Sequence, residues 1–495
     1  MNDAAGRDQA SESPGPTVAE THISTVFFTR DRAYKILKPV KTHFLDYSTS
    51  GLRISAAKKE FLVNSEMAPD VYLGTADVVE HGQVVDRMIV MRRLPSSRRL
   101  TERIATPFLD DDIRRIARVV AAYHAGKGPI LDADDIAGVE AVRSNWEDNF
   151  REMAPLVGVV LASSEVARVH QLATSFLDNH AQLFQARIDD GQVRAGHGDL
   201  TAEDIFCLDD GPRIIDGLAF SDRLRISDVL ADICFLAMDL DRLAGPDAAR
   251  KLMRNYRSFS NEHHPPSLAH HYVAYRAHVR AKIAGMRYQQ GDSEAGALMR
   301  SYHSLALSHL ERARSRVVVI GGSPGTGKTT VANGLADELD WMVLTTDELR
   351  KDIAGRAHGK HVPSKPDEGI YRPDVTARTY EALIRQADSL LTRGESVILD
   401  ASWNTADHRD TARDLARRHG AEFVEIQCML PPGLAKERIR GRLEKGTDAS
   451  DATPELVDTL RQRQQPWPSA KGLDTSGTPD DAIALALRLV CAPIE

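Results

Sequence analysis

The chain has 495 residues, of which 42% are apolar and 27% are charged, a composition typical of a globular protein with two or three domains. Its formal net charge of -8 argues against a protein devoted to nucleic-acid binding, because such proteins carry a strong basic excess. No apolar run reaches the length of a membrane span, so we expect no membrane partner.

The N-terminal segment, residues 1–20, is predicted to be a disordered lead. It has no apolar core and therefore does not fit a signal peptide. The four cysteines show no CxxC spacing, which argues against a zinc knuckle or a redox pair and suits a reducing compartment. Together these features predict a cytoplasmic protein.

The first predicted domain, residues 21–310, has strands and helices in separate runs, which is typical of an α+β fold. β-Prone runs around polar turns predict hairpins, and apolar residues at three- and four-residue spacings predict helices. The predicted elements are, in chain order, a hairpin of strands 25–28 and 33–37, a helix over about 52–67, a hairpin of strands 71–80 and 84–91, helices over 110–190, strands over 205–216 and helices over 227–308.

The second predicted domain, residues 311–495, has an α/β pattern. Four short apolar runs without alternation are separated by helical stretches, at 317–320, 342–344, 396–399 and 423–426. Strands of this kind imply a parallel sheet covered by helices on both faces. The domain boundary is placed between Leu310 and Arg316.

A glycine-rich loop follows the first of these strands. Residues 322–329 read G-S-P-G-T-G-K-T and match the phosphate-binding pattern G-x-x-x-x-G-K-[ST]. Its glycines let successive N–H groups point at phosphate oxygens, and the helix that follows adds its dipole. We expect Lys328 to reach the β- and γ-phosphates and Thr329 to bind magnesium. The strand before and the helix after argue against a simple glycine turn.

The sequence therefore predicts a site for ATP with Mg²⁺. The residues expected to bind the nucleotide are Gly322, Ser323, Pro324, Gly325, Thr326, Gly327, Lys328, Thr329 and Thr330.

Two aspartates follow predicted strands of the same sheet. Asp400 is expected to complete the magnesium site, and Asp347 is expected to orient the hydroxyl of an acceptor. Capping of the next helix is the alternative role for both. Arg438 and Arg442 lie four residues apart on a predicted helix over 435–445, where they can neutralise transferring phosphate. A solvated helix face is the alternative for these arginines.

This half resembles the P-loop small-molecule kinases, a group that includes gluconate kinase, chloramphenicol phosphotransferase and zeta-toxin-like kinases. The loop, Asp347 with Arg350, the strand ending at Asp400, and the Arg442 helix followed by 450–452 carry the resemblance. It implies transfer of the γ-phosphate of ATP to a small-molecule hydroxyl. It does not identify that acceptor, whose pocket we expect to include the loop 355–371.

In the first domain, residues 197–200 read H-G-D-L and precede a predicted hairpin. A four-residue turn places Ile205 opposite Asp216, so Asp204 and Asp216 are expected to lie within several ångströms of each other. Two adjacent carboxylates suit a magnesium ion. Asp199 is placed to accept the proton of an acceptor hydroxyl.

Three earlier residues fit a nucleotide site in the same domain. Lys35 on a strand can pair with the α- and β-phosphates, and Glu60 on the next helix can hold it. Met91 lies on a strand that leads into a hinge whose backbone can meet adenine. Each residue alone is also typical of an ordinary strand, helix or core, and Lys38 is a rival for the role of Lys35.

In this order the motifs resemble those of the aminoglycoside phosphotransferase family, relatives of choline kinases and protein kinases. The resemblance implies a two-lobed kinase-like fold. Three features depart from the family pattern: Asp204 replaces an asparagine, the turn 29–32 has no glycine, and Ala219 replaces an acidic residue. The alternative is a kinase-shaped domain that binds a ligand without catalysis. The two halves together resemble a group of bacterial two-domain proteins.

Other polar residues are given structural roles. Asp232 is predicted to anchor the H-G-D-L loop, Asp228 to lie in the first turn of a helix, and His124 to pack in the core. The histidines at 263–264 and 270–271 are interpreted as part of a surface helix entry rather than a metal site.

Two functions remain open from the sequence. The preferred one is a phosphotransferase that acts on a hydroxyl-bearing small molecule, without nucleic acid. The other is a nucleotide-dependent switch whose first domain recognises a partner. The pair Asp347 and Arg350 favours the phosphotransferase, because a switch needs no acceptor site.

Overall fold

The computed structural model describes residues 17–41, 45–354, 372–445, 457 and 461–491, with only the backbone for 442–445. The predicted acceptor loop 355–371 and the stretch 450–452 lie outside the described residues. The chain divides into two compact units. The first comprises Met1–Leu161, Phe184–His263 and Tyr272–Ala306, and the second comprises Ala162–Leu183, His264–His271 and Leu307–Glu495.

The amino-terminal lobe of the first unit is an antiparallel sheet with one helix packed on it. Its strands are β1 (Thr17–Glu20), β2 (Ser24–Phe28), β3 (Arg32–Leu37), β4 (Tyr72–Glu80) and β5 (Gln83–Arg92), in the order β1-β2-β3-β5-β4. Helix α1 (Ser50–Ser65) packs on β5. Both predicted hairpins and the helix are confirmed. The disordered lead is wrong for residues 17–20, because β1 pairs with β2 along its whole length.

The chain between this sheet, which ends at Arg92, and the parallel sheet that begins at Arg316 is mainly helical. Its helices are α2 (Leu100–Arg103), α3 (Leu109–Gly126), α4 (Asp134–Ala137), α5 (Val139–Met153), α6 (Ser163–Asn179), α7 (Ala181–Asp189), α8 (Asp222–Arg225), α9 (Val229–Ala244), α10 (Pro246–Ser260), α11 (Pro266–Gln289) and α12 (Ala295–Ala313), with 3-10 turns at Ser96–Arg98, Ala154–Leu156 and Ala202–Asp204. Helix α9 is the core of the helical lobe, since all of its residues from Val229 to Leu240 are buried.

Two short strand pairs frame the predicted H-G-D-L loop. Strand β6 (Val193–Ala195) pairs with β9 (Ile226–Asp228), and β7 (Ile205–Leu208) pairs with β8 (Gly211–Ile214). The predicted four-residue turn is wrong. Leu208 pairs with Gly211 and Ile205 with Ile214, so the turn has two residues and Ile205 does not face Asp216. The shift of two residues keeps each side chain on its expected face.

The second unit contains the predicted parallel sheet. Its strands are β10 (Arg316–Gly321), β11 (Met342–Thr345), β12 (Val397–Asp400), β13 (Glu422–Met429) and β14 (Lys471–Asp474), in the order β11-β12-β10-β13-β14. Its helices are α13 (Lys328–Leu339), α14 (Thr346–Ile353), α15 (Pro373–Thr392), α16 (Ala406–Arg418), α17 (Pro432–Lys445) and α18 (Pro479–Cys491).

Both faces of this sheet are covered. Val317 and Val319 of β10 point into a core with α15 and α16, whereas Val318 and Ile320 point into a core with α13 and α18. This two-sided burial explains the uniformly apolar strands and confirms the predicted α/β fold. Strand β14 was missed by the sequence prediction.

The amino-terminal end of the parallel sheet packs against segments whose hydrogen-bond partners lie more than a hundred residues away along the chain. Ser267 Oγ donates to Gly394 O at 2.6 Å, and His180 Nε2 lies 3.1 Å from Ser315 Oγ. These segments were assigned by sequence to the first domain, but their contacts place them in the second unit.

Within the described ranges, no helix is both long and apolar enough to cross a lipid bilayer.

Candidate functional site

The glycine-rich loop joins β10 to α13 in a conformation that needs its glycines. Gly325 and Gly327 have φ values of 81° and 86°, in the left-handed region. A Cβ at Gly325 would lie 2.6 Å from Ala435 O, so a larger residue would push α17 away. Gly327 caps α13 without a side-chain hydrogen bond. The first N–H groups of the helix are therefore left for an anion.

Lys328 extends back over this loop. Its Nζ donates to Ser323 O at 3.2 Å, and Thr326 Oγ1 donates to the same carbonyl oxygen at 2.8 Å. Thr475 Oγ1 donates to Thr326 O at 2.7 Å and braces the loop from the end of β14. A cation, the N–H groups at the start of α13 and a fixed loop together fit the phosphate group expected from the sequence.

The hydroxyl of Thr329 donates to Asp400 Oδ2 at 2.6 Å. Asp400 is only 5% exposed, and burial raises its pKa to about 6 although Lys328 and Thr329 act in the opposite direction. A hydroxyl and a carboxylate oxygen form the donor set that Mg²⁺ prefers, so these two residues fit the predicted metal. Asp400 does not cap the next helix, since Thr405 is the N-cap of α16.

Asp347 lies in the first turn of α14 and pairs with a buried arginine. Arg350 Nη1 is 3.3 Å from Asp347 Oδ1, and Arg350 is 7% exposed. The N-cap of α14 is Thr345, whose side chain accepts from Glu348 N, so Asp347 is not the cap either. Thr345 pairs with Asp400 in the sheet and Thr346 Oγ1 donates to Asp400 O at 3.4 Å, so the start of α14 lies next to Asp400, and the charge of Asp347 contributes to raising its pKa.

An aromatic wall beside this site was not predicted. Tyr380 of α15 stacks on His408 with ring centroids 3.7 Å apart, and its Oη accepts from Trp403 N at 3.2 Å. The charges of Arg350 and Asp347 both act on the Tyr380 hydroxyl. Nothing in the local sequence distinguishes Tyr380 from an ordinary core residue of a helix.

Of the two predicted arginines on α17, Arg438 is described. Its Nη2 donates to Thr475 O at 2.7 Å, and its Nη1 lies 3.6 Å from the position that a Cβ on Gly327 would take. Arg438 therefore lies against the phosphate loop and not on a solvated helix face. The side chain of Arg442 lies outside the described residues.

In the first unit, Lys35 of β3 lies between two carboxylates. Its Nζ is 2.8 Å from Glu60 Oε1 and also pairs with Asp216. Burial alone would lower the pKa of Lys35, but Asp216 and Glu60 raise it well above its usual value. Lys38 bonds instead to Glu20 Oε2 at 2.9 Å and is excluded from this site. The structure thus brings together the predicted strand lysine, helix glutamate and late aspartate.

Asp204 and Asp216 lie together, as predicted, although through a different register. Ile215 N donates to Asp204 O at 2.9 Å, so Asp216, the residue after Ile215, lies close to Asp204. Burial, together with the charges of Asp216 and Asp199, raises the pKa of Asp204 well above its usual value. Such crowding of carboxylates is relieved by a cation, so the pair fits a magnesium ion. Among the described residues, no group of three or more His, Cys, Asp or Glu is arranged to hold a metal.

The loop that carries Asp199 is anchored on helix α9. Asp232 accepts from His197 N at 2.8 Å and Gly198 N at 2.7 Å, and lies 3.0 Å from His124 Nε2. The predicted anchoring role of Asp232 and the core position of His124 are therefore confirmed. Asp228 is the N-cap of α9, as its side chain accepts from Leu230 N.

Met91 of β5 is 8% exposed and packs in the core of the sheet lobe. Its side chain is thus a core residue, and its predicted contact with adenine through the backbone stays a prediction. The described geometry otherwise agrees with the kinase-like fold predicted for the first unit and the P-loop kinase fold predicted for the second.

Comparisons with known proteins cover both units. A protein-family model described as "AAA domain" matches residues 317–467. The chain is also similar to an adenylate kinase of Mycobacterium ulcerans, 28% identical over 183 residues, which cover 34% of this chain and 97% of that enzyme. In structure, the chain is similar to a choline/ethanolamine kinase family protein from Mesorhizobium loti, with 13% identity, a TM-score of 0.38, and coverage of 61% of this chain and 94% of that one.

One similarity extends over both units. The uncharacterized protein Rv2004c of Mycobacterium tuberculosis is 34% identical over 483 residues, which cover 97% of this chain and 96% of that protein. The chain therefore belongs to the same family as the uncharacterized protein Rv2004c of Mycobacterium tuberculosis.

Proposed function

We propose that the chain is an ATP-dependent phosphotransferase whose P-loop unit moves the γ-phosphate of ATP to a hydroxyl group of a small molecule. The observation that carries the proposal is the position of the Asp347–Arg350 pair beside the Thr329–Asp400 pair. A phosphate loop alone suits any nucleotide-binding protein. A carboxylate held by a buried arginine next to that loop supplies a group that can orient an acceptor hydroxyl and take its proton.

The proposed reaction is an in-line displacement. The loop N–H groups and Lys328 hold the phosphates, and Asp347 orients the acceptor hydroxyl and takes its proton. The acceptor oxygen forms a bond to the γ-phosphorus as the bond to the β,γ-bridging oxygen breaks, and ADP leaves. Thr329 and Asp400 would hold Mg²⁺, which supplies positive charge to the phosphate oxygens. Arg350 keeps Asp347 in position through their contact at 3.3 Å.

The similarity to an adenylate kinase supports this reaction for the second unit. It gives no support to a particular acceptor, because P-loop folds serve many substrates. The acceptor class is therefore proposed only as a small molecule with a free hydroxyl group.

The test is acceptor-stimulated ATP consumption by the full chain, with magnesium and a panel of sugars, amino sugars and nucleosides. We expect Lys328→Ala to lower the stimulated rate by about 10²–10³-fold, the usual effect of losing one group that stabilises transferring charge. Lys471→Ala, an exposed lysine at the start of β14, is the matched control and should leave the rate unchanged. A full stimulated rate in Lys328→Ala would refute the assignment of the reaction to the P-loop unit.

A second phosphotransferase site in the first unit is favoured by the contacts of Lys35 with Glu60 and Asp216. The experiment uses the full chain with Lys328→Ala, so that the P-loop unit is silent. Any remaining acceptor-stimulated rate is expected to disappear when Asp199→Ala is added. A residual rate that does not depend on Asp199 would rule out this second site as its source.

A further inference from the structure

Two arginines of helix α11 lie beside Asp199 in the first unit. Arg280 Nη1 is 3.8 Å from Asp199 Oδ1, and Arg276, one helical turn earlier, also acts on the Asp199 carboxylate. Both guanidinium groups lie over the ring of Phe235, at 5.8 Å for Arg280 and 4.9 Å for Arg276. Arg276 is further fixed because its Nε donates to Ala231 O at 3.0 Å. The position of this positive charge is therefore set by helix packing.

A third arginine extends the group. Arg242 lies over the ring of Tyr302 at 5.2 Å, and Tyr302 also forms a hydrogen bond with Arg280. Asp239 accepts from Arg242 Nη2 at 3.0 Å through one oxygen, and from a backbone N–H through the other. The three guanidinium groups thus lie on the α11 side of Asp199, whereas Asp204 and Asp216 carry the negative charge on its other side. Of the two carboxylates among the arginines, Asp239 is already engaged on both oxygens.

Arg280 differs from the structural arginines of the same unit. Arg187 donates two hydrogen bonds to Asp228, at 2.8 and 2.7 Å, and also pairs with Glu262, so its charge is fully compensated. Arg280 is 3.8 Å from Asp199, beyond hydrogen-bond distance, and its side chain is 29% exposed. Its guanidinium therefore keeps donors that can serve a planar anionic group.

We propose that the Asp199 site binds a small molecule that carries both a hydroxyl group and an anionic group, with its carboxylate or phosphate on Arg280. The hydroxyl would lie at Asp199, a hydrogen-bond acceptor within a few ångströms of the same guanidinium. A cationic group at the anion position beside Arg280, such as the ammonium of an amino sugar, is disfavoured because it would lie next to a guanidinium of like charge. The inference concerns binding, so it is independent of phosphate transfer by the P-loop unit.

The test measures binding to the full chain by calorimetry with four hexose-based probes: gluconate, glucose 6-phosphate, glucose and glucosamine. We expect at least one of the two anions to bind, and glucose and glucosamine to bind at least about 10-fold more weakly. Binding of gluconate alone identifies a carboxylate ligand, and binding of glucose 6-phosphate alone identifies a phosphate ligand.

Variants assign the binding to this site rather than to the phosphate loop. Arg280→Gln is expected to weaken anion binding by about 10-fold or more, and Arg280→Lys to weaken it less, since it keeps the charge but loses the bidentate geometry. Arg250→Gln, on the exposed face of α10 where Arg250 pairs with Asp247, is the matched control and should bind as the parent does. Thermal unfolding checks that each variant is folded.

Three results would overturn the proposal. Glucosamine could bind as tightly as the anions, a folded Arg280→Gln variant could keep the parent affinity, or neither anion could bind to the parent chain.

Discussion

Asp400 is a residue at which stability and the proposed activity oppose each other. Burial raises its pKa to about 6, whereas an exposed aspartate titrates near about 3.9. The folded state therefore binds this proton more tightly than the unfolded state does. Stability then declines as pH rises from about 4 to about 6, and above that the cost is on the order of 3 kcal/mol. Magnesium binding needs the same ionised carboxylate, so activity is expected to fall as pH drops below about 6.

Asp400→Asn tests both sides of this conflict. The amide keeps an oxygen for the Thr329 hydroxyl but carries no charge, so the nucleotide-free variant should unfold a few degrees higher at pH 8 and little differently at pH 5. Its magnesium-dependent rate should fall by about 10²-fold or more. Asp337 is exposed on α13, the helix that follows the phosphate loop, and Asp337→Asn is the control. Lower stability at pH 8 would contradict the destabilising effect of the Asp400 charge, and unchanged magnesium dependence would contradict its role in binding the metal.

Lys35 lies on β3 and Lys38 directly follows that strand, so the two lysines form a natural pair of variants. Lys35→Met leaves Glu60 and Asp216 together without their cation, and we expect a loss of about 3 kcal/mol in the free energy of unfolding. This is the lower end of the usual range, because the Asp216 side chain is 48% exposed. Lys38→Met breaks a solvent-accessible pair with Glu20 and a hydrogen bond to Thr21 O at 2.8 Å, and should change stability by about 1 kcal/mol. Urea unfolding of the full chain measures both, and equal effects would contradict the buried role of Lys35.

At the scale of elements, helix α9 fixes the H-G-D-L loop through one carboxylate. Burial alone would raise the pKa of Asp232, but His124 and the N–H groups of the loop lower it below its usual value. A lowered pKa means that Asp232 stabilises the fold above about pH 4 and that this stabilisation is lost as pH falls further.

We therefore expect Asp232→Asn to lower the free energy of unfolding at pH 7 by about 2–4 kcal/mol, because the amide cannot accept from all three donors. The difference from the parent chain should shrink below pH 4, where Asp232 of the unfolded parent chain begins to bind a proton while that of the folded chain does not. Asp111→Asn, exposed in the first turn of α3, is the control. A stability difference that does not change with pH would show that the charge of Asp232 is not the cause.

Elements whose burial is uniform were predictable, and elements whose position depends on pairing were not. Strands β10 and β12 are buried on both faces and therefore appear in the sequence as apolar runs. Strand β14 has a single buried residue, Leu473, at the edge of the sheet, so it leaves no such signal. The β7–β8 turn was mistaken because Gly211 and Pro212 are typical turn residues, yet here both lie in β8.

The candidate sites follow the same division. The phosphate loop is a contiguous motif with its own backbone requirements, so the sequence alone indicates it. Tyr380 and Arg280 reach their sites through helix packing, and nothing local distinguishes them from other helix residues. The choice between Lys35 and Lys38 likewise depends on which of the two lysines faces Glu60, and only the folded structure decides this.

For the whole molecule, no single boundary in the sequence separates the two units, because the second unit is built from three separate stretches of the chain. The second unit includes Ala162–Leu183 and His264–His271 in addition to the P-loop region. In that unit Phe176 stacks on His271 with ring centroids 4.4 Å apart, and Arg168 Nε donates to Glu311 Oε1 at 2.9 Å. The amino-terminal end of the parallel sheet thus depends on segments that a cut near residue 311 would remove.

We therefore expect the fragment 311–495 to be less stable than the same region in the full chain. It loses the hydrogen bonds of Ser267 and His180, each worth about 1 kcal/mol, and exposes the apolar surface that Phe176 and its neighbours cover. Limited proteolysis and thermal unfolding of the fragment, beside the full chain, measure the effect. Co-expression with residues 1–310 is the control, since it returns the missing segments and should restore soluble fragment.

A fragment that unfolds cooperatively at the same temperature as the full chain would show that those segments are not needed. If the fragment is unstable, its lack of activity says nothing about Lys328 or Asp347, because the sheet that positions them has lost the segments packed against its amino-terminal end. Tests of the P-loop reaction therefore belong on the full chain with single substitutions, where Lys328→Ala changes the site and leaves the packing of the sheet intact.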